Sequence, residues 1–202
     1  MAKGPPYPTE APSLPDIPTT LIDQANELFI RLNSSYFSQF EKLERVFKYF
    51  ESFTSYTDGF TSCRKGCAYC CKVDVQITSF EAKYIAKKKK MKMNEFMSIS
   101  TGNKAPCPFL SPDNSCGIYE IRPLICRTLQ AVGDPDHCRT GAPQLYYGSP
   151  PQFGNVILRD LMAWAHRMNQ EKGGSLGDIR DFFPMESRLK ASMPADDTVA
   201  KM

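Results

Sequence analysis

The sequence predicts an α+β fold that is predominantly helical, with long N-terminal and C-terminal helices flanking a small cysteine-rich core. Three observations support this prediction. Apolar residues recur at steps of three and four on both sides of a central segment, as on the buried face of a helix. The central segment contains all eight cysteines of the 202-residue chain. Within it, one stretch alternates like a short strand and another is dense in the turn formers of a hairpin.

Composition limits the size of the core and the kind of partner. A chain of 202 residues with 42% hydrophobic content can bury one sizeable core, with extensions. A net charge of +3 does not indicate a dedicated nucleic-acid binder. We find no apolar signal segment and no run of about eighteen apolar residues that would form a transmembrane segment. The expected location is therefore the cytoplasm or another reducing intracellular compartment, where clustered cysteines serve as metal ligands or redox groups; export by another route would restore a disulfide interpretation.

The patterns divide the chain into five segments. These are a Pro-rich extended arm at 1–18, an N-terminal helical segment at 19–58, a cysteine-cluster core at 59–140, a C-terminal loop and helix packed on the core at 141–189, and a flexible tail at 190–202. Six prolines in the first eighteen residues fix the backbone and remove donors, which indicates an extended arm.

The N-terminal segment predicts one long helix or two helices in sequence, and Thr20 is its expected N-cap. Its apolar residues recur at helical spacing: Leu21, Ala25, Leu28, Leu32, Tyr36, Phe40, Leu43, Phe47 and Phe50. Core packing is the favoured interpretation of this aromatic stripe. Because the Pro-rich arm precedes it, the helix is also a candidate for binding a protein partner.

Short local patterns predict the elements around the cysteines. "VDVQI", from Val73 to Ile77, suits a half-buried strand, and Thr78 with Glu81 forms a capping box that opens a helix at Ser79. "SPDNS" predicts a hairpin that brings Cys107 and Cys116 towards each other.

Further along the chain, Pro123 predicts the first turn of a short helix containing Cys126, and Cys138 is expected in a loop. "APQLYYGSPPQFG" is interpreted as an aromatic loop. The C-terminal amphipathic helix has the apolar set Val156, Leu158, Leu161, Met162, Ala165 and Met168, and "GGSLGD" is expected to stop it.

The stretch "CRKGCAYCCK" places Cys63, Cys67, Cys70 and Cys71 within nine residues. A C-x-x-C pair and a hairpin pair can together supply the four thiolates of a tetrahedral zinc site. Counting Cys107, Cys116, Cys126 and Cys138, eight thiols fill two such sites, or one with spares. The adjacent Cys70 and Cys71 tend to point apart, so they could serve different metals or opposite edges of one cluster.

Other interpretations of the cluster are weaker. Four buried thiols in nine residues are improbable as mere packing groups. A thioredoxin-like pair at Cys67 and Cys70 lacks its βαβ context. "CRKGCAYC" is similar to the iron–sulfur motif of radical SAM enzymes, but the chain after it is too short for their barrel. Iron–sulfur ligation itself stays open, because thiolates suit both zinc and iron.

The ordered set "CRKGCAYCC", "CPFL", "CGIYEIRPLICR" and Cys138 resembles the YkgJ-type cysteine-cluster family, a zinc- or iron-chelating domain with a CxxxCxxCC signature. The resemblance includes all eight cysteines and spans roughly Gly59 to Cys138. It implies metal chelation by Cys63, Cys67, Cys70, Cys71, Cys107, Cys116, Cys126 and Cys138. It fixes neither the metal nor an activity, and a related cluster in flagellin lysine methylases keeps a SAM-linked modifying function open.

Two arginines are candidate outer-shell partners of the thiolates. Four thiolates on a divalent metal leave a net negative charge, which Arg122 and Arg127 beside Cys126 could stabilise. The alternative for both is surface ion pairing with Glu120 or Asp113. Lys65 and Lys72 could add similar electrostatic help.

The two histidines are not predicted as ligands. His137 lies beside Cys138, but with eight thiols available we expect it to face solvent in a loop. His166 lies on an apolar helix and is expected to be a packing residue.

The sequence favours a metal-binding module over an enzyme. Nucleophile-elbow, phosphate-loop, dinucleotide-binding and zinc-protease motifs do not occur. We expect Zn²⁺, or alternatively iron or an iron–sulfur cluster, held chiefly for structure in an accessory protein whose arm and first helix contact a protein partner. The alternative is an iron–sulfur protein with redox or SAM-linked protein-modifying activity.

Overall fold

Helices dominate the part of the chain that the structure describes. The computed structural model describes residues 15–95, 99–142, 145–147 and 155–184. Its α-helices are α1 (Thr19–Asn33), α2 (Gln39–Thr57), α3 (Ser79–Lys89), α4 (Ile125–Thr128), α5 (Asp136–Thr140), α6 (Val156–Gln170) and α7 (Ile179–Phe182). Two 3-10 helices cover Tyr69–Lys72 and Tyr119–Ile121. None of the helices in these ranges has the length and apolar character needed to cross a membrane.

Four short strands form two antiparallel ribbons. The strands are β1 (Gln76–Thr78), β2 (Gln130–Val132), β3 (Leu145–Tyr147) and β4 (Leu176–Asp178). Strand β1 pairs with β4, with Ile77 opposite Gly177, and β2 pairs with β3, with Ala131 opposite Tyr146. The predicted α+β, predominantly helical fold is confirmed.

Two apolar clusters share helix α3 as a common wall. The first lies between α1, α2 and α6 and also takes in Phe80 and Tyr84 of α3. The second lies under the cysteine-rich segment and takes in Ile85 of α3 together with Phe109 and Phe183. Each fully buried large side chain contributes about 1.5–3 kcal/mol of transfer free energy. Helix α3 therefore joins the helical part of the fold to the cysteine-rich part.

The start of α3 agrees with the sequence prediction. The helix begins at Ser79, and a complete capping box links the side chains and backbones of Thr78 and Glu81. The predicted hairpin is also present in short form, because Leu110 bridges Cys116 and the Gly117 N–H donates to Phe109 O at 2.8 Å. These patterns depend on neighbours a few residues apart, so local sequence is sufficient to specify them.

Three predictions about the long helices are wrong. Helix α1 begins at Thr19, so Thr20 lies inside the helix and is not its N-cap. Pro18 occupies the N-cap position, and no side chain caps the helix. Tyr36 is 86% exposed, because it lies in the connection between α1 and α2, where helical periodicity no longer applies. Val156 is 58% exposed at the first position of α6, whereas Trp164, outside the predicted apolar set, is buried.

Further corrections concern strands and loops. Of the predicted strand Val73 to Ile77 only the end is extended and paired, and Val73 is exposed. Cys138 lies in helix α5 and not in a loop. Leu145–Tyr147 in the predicted aromatic loop is strand β3, and the residues after "GGS" form β4 and α7. Most of the predicted arm, residues 1–14, and the predicted tail, residues 190–202, lie outside the described ranges.

Candidate metal centre

The first four cysteines follow α2 in an irregular segment that is fastened to β2. The Ser62 N–H donates to Ala131 O at 2.7 Å, and the Ala131 N–H donates to Cys63 Sγ at 3.2 Å. The chain then turns at Gly66, whose φ of +94° favours glycine, and enters the 3-10 helix that contains Cys70 and Cys71. The backbone thus fixes Cys63 at the start of the segment and Cys70 and Cys71 at its end.

The remaining cysteines reach the same region from three separate elements. Cys107 and Cys116 lie at the base of the hairpin, and the Cys107 N–H donates to Cys71 O at 2.6 Å. Cys126 is on α4, which begins at Ile125, so Pro123 precedes the helix and does not lie in its first turn as predicted. Cys138 is on α5, which contacts the 3-10 helix of Cys70. The structure therefore brings both halves of the cysteine set together.

One group of thiols surrounds Cys63. Burial raises the pKa of Cys63, a backbone hydrogen bond from Ala131 opposes the shift, and the nearby thiols of Cys67, Cys70 and Cys138 add to it. Burial also raises the pKa of Cys138, where Cys67 and Cys70 again contribute. Since electrostatic interactions weaken with distance, these mutual effects identify Cys63, Cys67, Cys70 and Cys138 as neighbours.

A second group surrounds Cys126. Burial raises the pKa of Cys126 well above the ordinary thiol value, and Cys70, Cys107 and Cys116 raise it further. Burial also raises the pKa of Cys107 to about 11. Cys70 belongs to both groups, and a hydrogen bond with the Cys71 thiol is the main reason that its own pKa is raised.

The thiols are gathered as neighbours and not as a finished ligand set. Over the described ranges, no group of three or more His, Cys, Asp or Glu side chains stands in an arrangement that could hold a metal ion. Buried thiols with raised pKa values are protonated at neutral pH, and a protonated thiol is not a metal ligand. The donor set nevertheless fits zinc or iron by its chemistry, because both metals bind thiolates.

A cavity of about 80 Å³ lies among the thiols. Six of the eight cysteines line it: Cys67, Cys70, Cys71, Cys107, Cys116 and Cys126. Arg122 lines it as well, and its guanidinium opposes the rise in the pKa of Cys70, Cys116 and Cys126. Arg122 is therefore placed to stabilise thiolates at this position.

Arg127 lies deeper than Arg122 and does not line this cavity. Its Nε donates to Arg122 O at 2.9 Å, its Nη2 donates to Glu120 O at 2.6 Å, and its guanidinium covers the Phe47 ring. Burial and, to a smaller extent, the charge of Arg122 lower the pKa of Arg127 to about 10, and Glu51 and Glu120 oppose the shift. Neither arginine forms an ion pair with a carboxylate of the described residues, so the predicted pairing with Glu120 or Asp113 is not found there.

The other polar candidates lie at the edge of the site or away from it. His137 is exposed on α5. His166 is half-buried on α6, beside a separate cavity that Glu81 and Met162 also line. Lys65 approaches the Tyr119 ring, with Nζ 5.4 Å from its centre, and Lys72 is exposed.

Sequence reasoning missed two residues that support the cysteines. Asp178 is fully buried, accepts from the Val75 N–H at 2.7 Å and pairs with Arg180 at 2.9 Å. Arg180 in turn donates to Cys71 O and Val73 O at 3.2 Å each and to Ala105 O at 2.9 Å. This buried pair, the Asp178–Arg180 clamp, holds both halves of the cysteine set. The only sequence signal for it is the capping spacing of Asp178 and Asp181, which does not identify the partners.

Tyr146 on β3 was missed as well. Its hydroxyl forms a hydrogen bond with the Cys138 thiol, and this bond acts against the rise in the pKa of Cys138. Tyr146 is therefore placed to stabilise a thiolate at that position.

The segment that contains these thiols resembles a known protein family. Residues 62–148 match the CxxCxxCC family. This family is described as "Putative zinc- or iron-chelating domain", and the match confirms the cysteine-cluster family expected from the sequence. The CxxCxxCC match covers under half of the chain, and α1, α2, α6 and the Asp178–Arg180 clamp fall outside it. No curated protein and no solved structure matches the chain.

Proposed function

We propose that the chain is a metal-chelating protein whose eight cysteines bind zinc, chiefly to stabilise the fold. The observation that supports this most directly is that six of the eight cysteines, including Cys70, line one cavity. Neighbouring thiols that share a buried region gain little from packing but become strong ligands once a metal displaces their protons. The match to a zinc- or iron-chelating domain supports the same chemistry.

The two sets of neighbouring thiols suggest how the eight ligands divide between two metal sites. Cys63, Cys67 and Cys138 would belong to one site, and Cys107, Cys116 and Cys126 to the other. Cys70 and Cys71 are adjacent and would complete one site each, which gives the four thiolates that close a structural zinc site. Each closed site would supply roughly 10 kcal/mol or more of folding free energy. Arg122 and Arg127 would stabilise the negative charge of the thiolates.

Anaerobic purification followed by elemental analysis tests this proposal. We expect a colourless protein with two zinc ions per chain. Cys67→Ser and Cys70→Ser should lose metal and solubility together, and Ser111→Ala in the hairpin turn is a control that leaves every thiol in place. A well-folded Cys70→Ser protein with full metal content would show that the ligand assignment is wrong.

The cavity among six thiols favours one alternative, an iron–sulfur cluster. A closed mononuclear site leaves no space beside its thiolates, whereas a cavity of about 80 Å³ leaves room for a larger inorganic group. Such a protein would have redox or SAM-linked modifying activity. A brown protein with broad visible absorption and acid-labile sulfide would support this alternative and exclude structural zinc.

We further propose that the N-terminus attaches this metal-binding module to a protein partner in a reducing intracellular compartment. The start of the described chain is fastened to the fold, because the Tyr56 hydroxyl donates to Pro15 O at 2.7 Å and Ile17 packs against the helical core. The arm would therefore extend from a fixed point. Removing residues 1–14 should leave the unfolding midpoint unchanged and abolish partner capture, whereas unchanged capture would exclude the arm as the attachment site.

A further inference from the structure

A second cavity, of about 160 Å³, lies between the end of α2 and the thiols. Four cationic side chains contribute to its wall: Arg64, Lys65, Arg122 and Arg127. The carboxylate of Asp58 and the amide of Gln130 line the same space. This basic cavity shares Arg122 and Cys126 with the cavity among the thiols, so the two spaces are neighbours.

The cations of the basic cavity have no carboxylate partner among the described residues. Arg64 donates to the carbonyl oxygens of Asp58 and Cys63, and Arg127 donates only to carbonyl oxygens as well. Lys65 and Arg122 both approach the Tyr119 ring. Arg64 and Lys65 are exposed, whereas Arg122 is half-buried and Arg127 is buried. A cation at the two deeper positions is costly without a counter-charge, so the cavity attracts an anion.

Two unpartnered polar atoms define what kind of anion fits. The Nε of Arg122 is buried and has no acceptor within the described part of the chain. Gln130 is 6% exposed, and its Oε1 is a buried acceptor that likewise lacks a donor there. A hydrogen phosphate group carries both acceptor oxygens and one O–H donor, whereas sulfate at neutral pH carries acceptors alone.

We propose that the basic cavity is a binding site for a phosphate-type oxyanion. Arg122 Nε donates to the anion, Arg64, Lys65 and Arg127 provide the surrounding positive charge, and Gln130 Oε1 accepts the proton of the phosphate hydroxyl. The ligand is free hydrogen phosphate, because a phosphate monoester loses its last O–H proton at about pH 6 and at neutral pH leaves Gln130 Oε1 without a donor. This site goes beyond the proposed metal binding and does not depend on which metal the thiols take.

Calorimetric titration of the metal-loaded full chain with inorganic phosphate tests the site, at constant ionic strength with chloride as the balancing anion. We expect saturable binding of one phosphate per chain, sulfate binding about tenfold weaker, and no binding of acetate. A phosphate monoester such as glycerol phosphate should bind more weakly than inorganic phosphate, and equal or tighter binding of the ester would overturn the role of Gln130 Oε1.

Substitutions that remove one charge distinguish this site from general attraction. Arg122→Gln should weaken phosphate binding about tenfold, whereas Arg167→Gln, an exposed arginine on α6, should have no effect. Lys65→Gln, also exposed, should weaken it about threefold and serves as the deciding variant if Arg122→Gln does not fold.

The metal content of every sample is measured alongside the titration. No saturable phosphate binding in the fully loaded protein, sulfate binding as tight as phosphate, or equal losses in Arg167→Gln and the cavity variants would each overturn the proposal. Because the metal content is known, failure of the phosphate site is distinguishable from failure of the metal site.

Discussion

At the scale of single residues, the buried thiols keep their protons at neutral pH and must release them to bind a metal. Burial raises the pKa of Cys63, Cys107, Cys116 and Cys126, and in Cys107 the pKa reaches about 11. These groups are therefore neutral at pH 7 in the metal-free chain. Zinc or iron binds the thiolate, so every ligand that binds must release its proton first.

We therefore predict that metal binding releases protons and weakens as pH falls. The apparent affinity should drop about tenfold per pH unit for each proton released, and a site closed by four thiols should release about four protons per zinc. Titration of the protein with zinc in a weakly buffered solution containing a pH indicator measures this number directly. Cys107→Ser should release about one proton fewer. Release of less than one proton per metal would show that thiols are not the ligands.

The raised pKa values also make the stability of the metal-free chain depend on pH. This stability falls as pH rises, whereas metal binding weakens as pH falls. The folded-state pKa values lie above the ordinary thiol value of 9.0, so the neutral thiols stabilise the fold below about pH 9. That stability is lost as pH rises through the raised values, towards about 11 for Cys107. Metal removal followed by urea denaturation at pH 7, 9 and 10.5 should show a falling midpoint.

At the scale of elements, two capping boxes with the same chemistry lie in different environments. Glu41 caps α2 at the surface, where it accepts from the Ser38 N–H at 2.8 Å. Glu81 caps α3 in the interior, and its carboxylate also accepts from the Thr78 hydroxyl and from the Leu124 N–H at 2.8 Å. Glu81 thus ties the start of α3 to the segment that leads into Cys126.

We predict that Glu81→Ala destabilises the protein far more than Glu41→Ala. Removal of Glu81 leaves three buried donors without an acceptor and should cost about 3 kcal/mol or more, whereas water replaces the exposed Glu41 carboxylate at a much smaller cost. Urea denaturation of the two variants gives the comparison. Equal losses would show that the link to Leu124 contributes nothing. Because that link positions Cys126, only Glu81→Ala should also lower the metal content.

Sequence reasoning succeeded where structure depends on near neighbours. The Thr78 and Glu81 capping box and the hairpin turn each follow from residues within about five positions. It failed for β2, β3 and β4, which are three residues long and pair with distant partners. A strand of this length has no period that a sequence could display.

The residues of the candidate site were likewise predictable only where the signal lies in the local sequence. Eight clustered cysteines are visible in the sequence because their spacing has no other common explanation. The Asp178–Arg180 clamp is invisible there, because its meaning depends on the carbonyl oxygens of Cys71 and Ala105 far upstream. The approach of Tyr146 to Cys138 depends likewise on the pairing of β3 with β2.

At the scale of the whole molecule, the Asp178–Arg180 clamp couples the C-terminal segment to the thiols. We predict that Arg180→Gln costs about 3–5 kcal/mol of stability, because it leaves the fully buried Asp178 carboxylate without its counter-charge. Arg31→Gln breaks an exposed ion pair with Glu27 on α1 and should leave the stability nearly unchanged, because solvent screens the pair. Denaturation of the zinc-loaded proteins gives both values.

A loss of stability in Arg180→Gln would not by itself show that the clamp positions the metal ligands. Arg180→Lys keeps a cation beside Asp178 but cannot donate to Cys71 O, Val73 O and Ala105 O together. We expect this variant to retain much of its stability and to bind zinc about tenfold more weakly, as competition with a coloured chelator measures. Unchanged zinc affinity in a folded Arg180→Lys protein would limit the clamp to a structural role.

The cysteine-rich segment depends on the rest of the chain for its fold. Residues 62–148 contain every cysteine and match the CxxCxxCC family, but β4, α7 and the clamp come from beyond that segment, and the helical core from both sides of it. An isolated fragment of residues 62–148 loses the partner of β1 and both residues that hold Val75 and Cys71. We expect it to bind zinc without cooperative unfolding, whereas residues 15–184 should unfold in one cooperative transition with full metal content. Urea denaturation followed by circular dichroism distinguishes the two, and a cooperative transition in the short fragment would show that the cysteines and their metal form a self-sufficient domain.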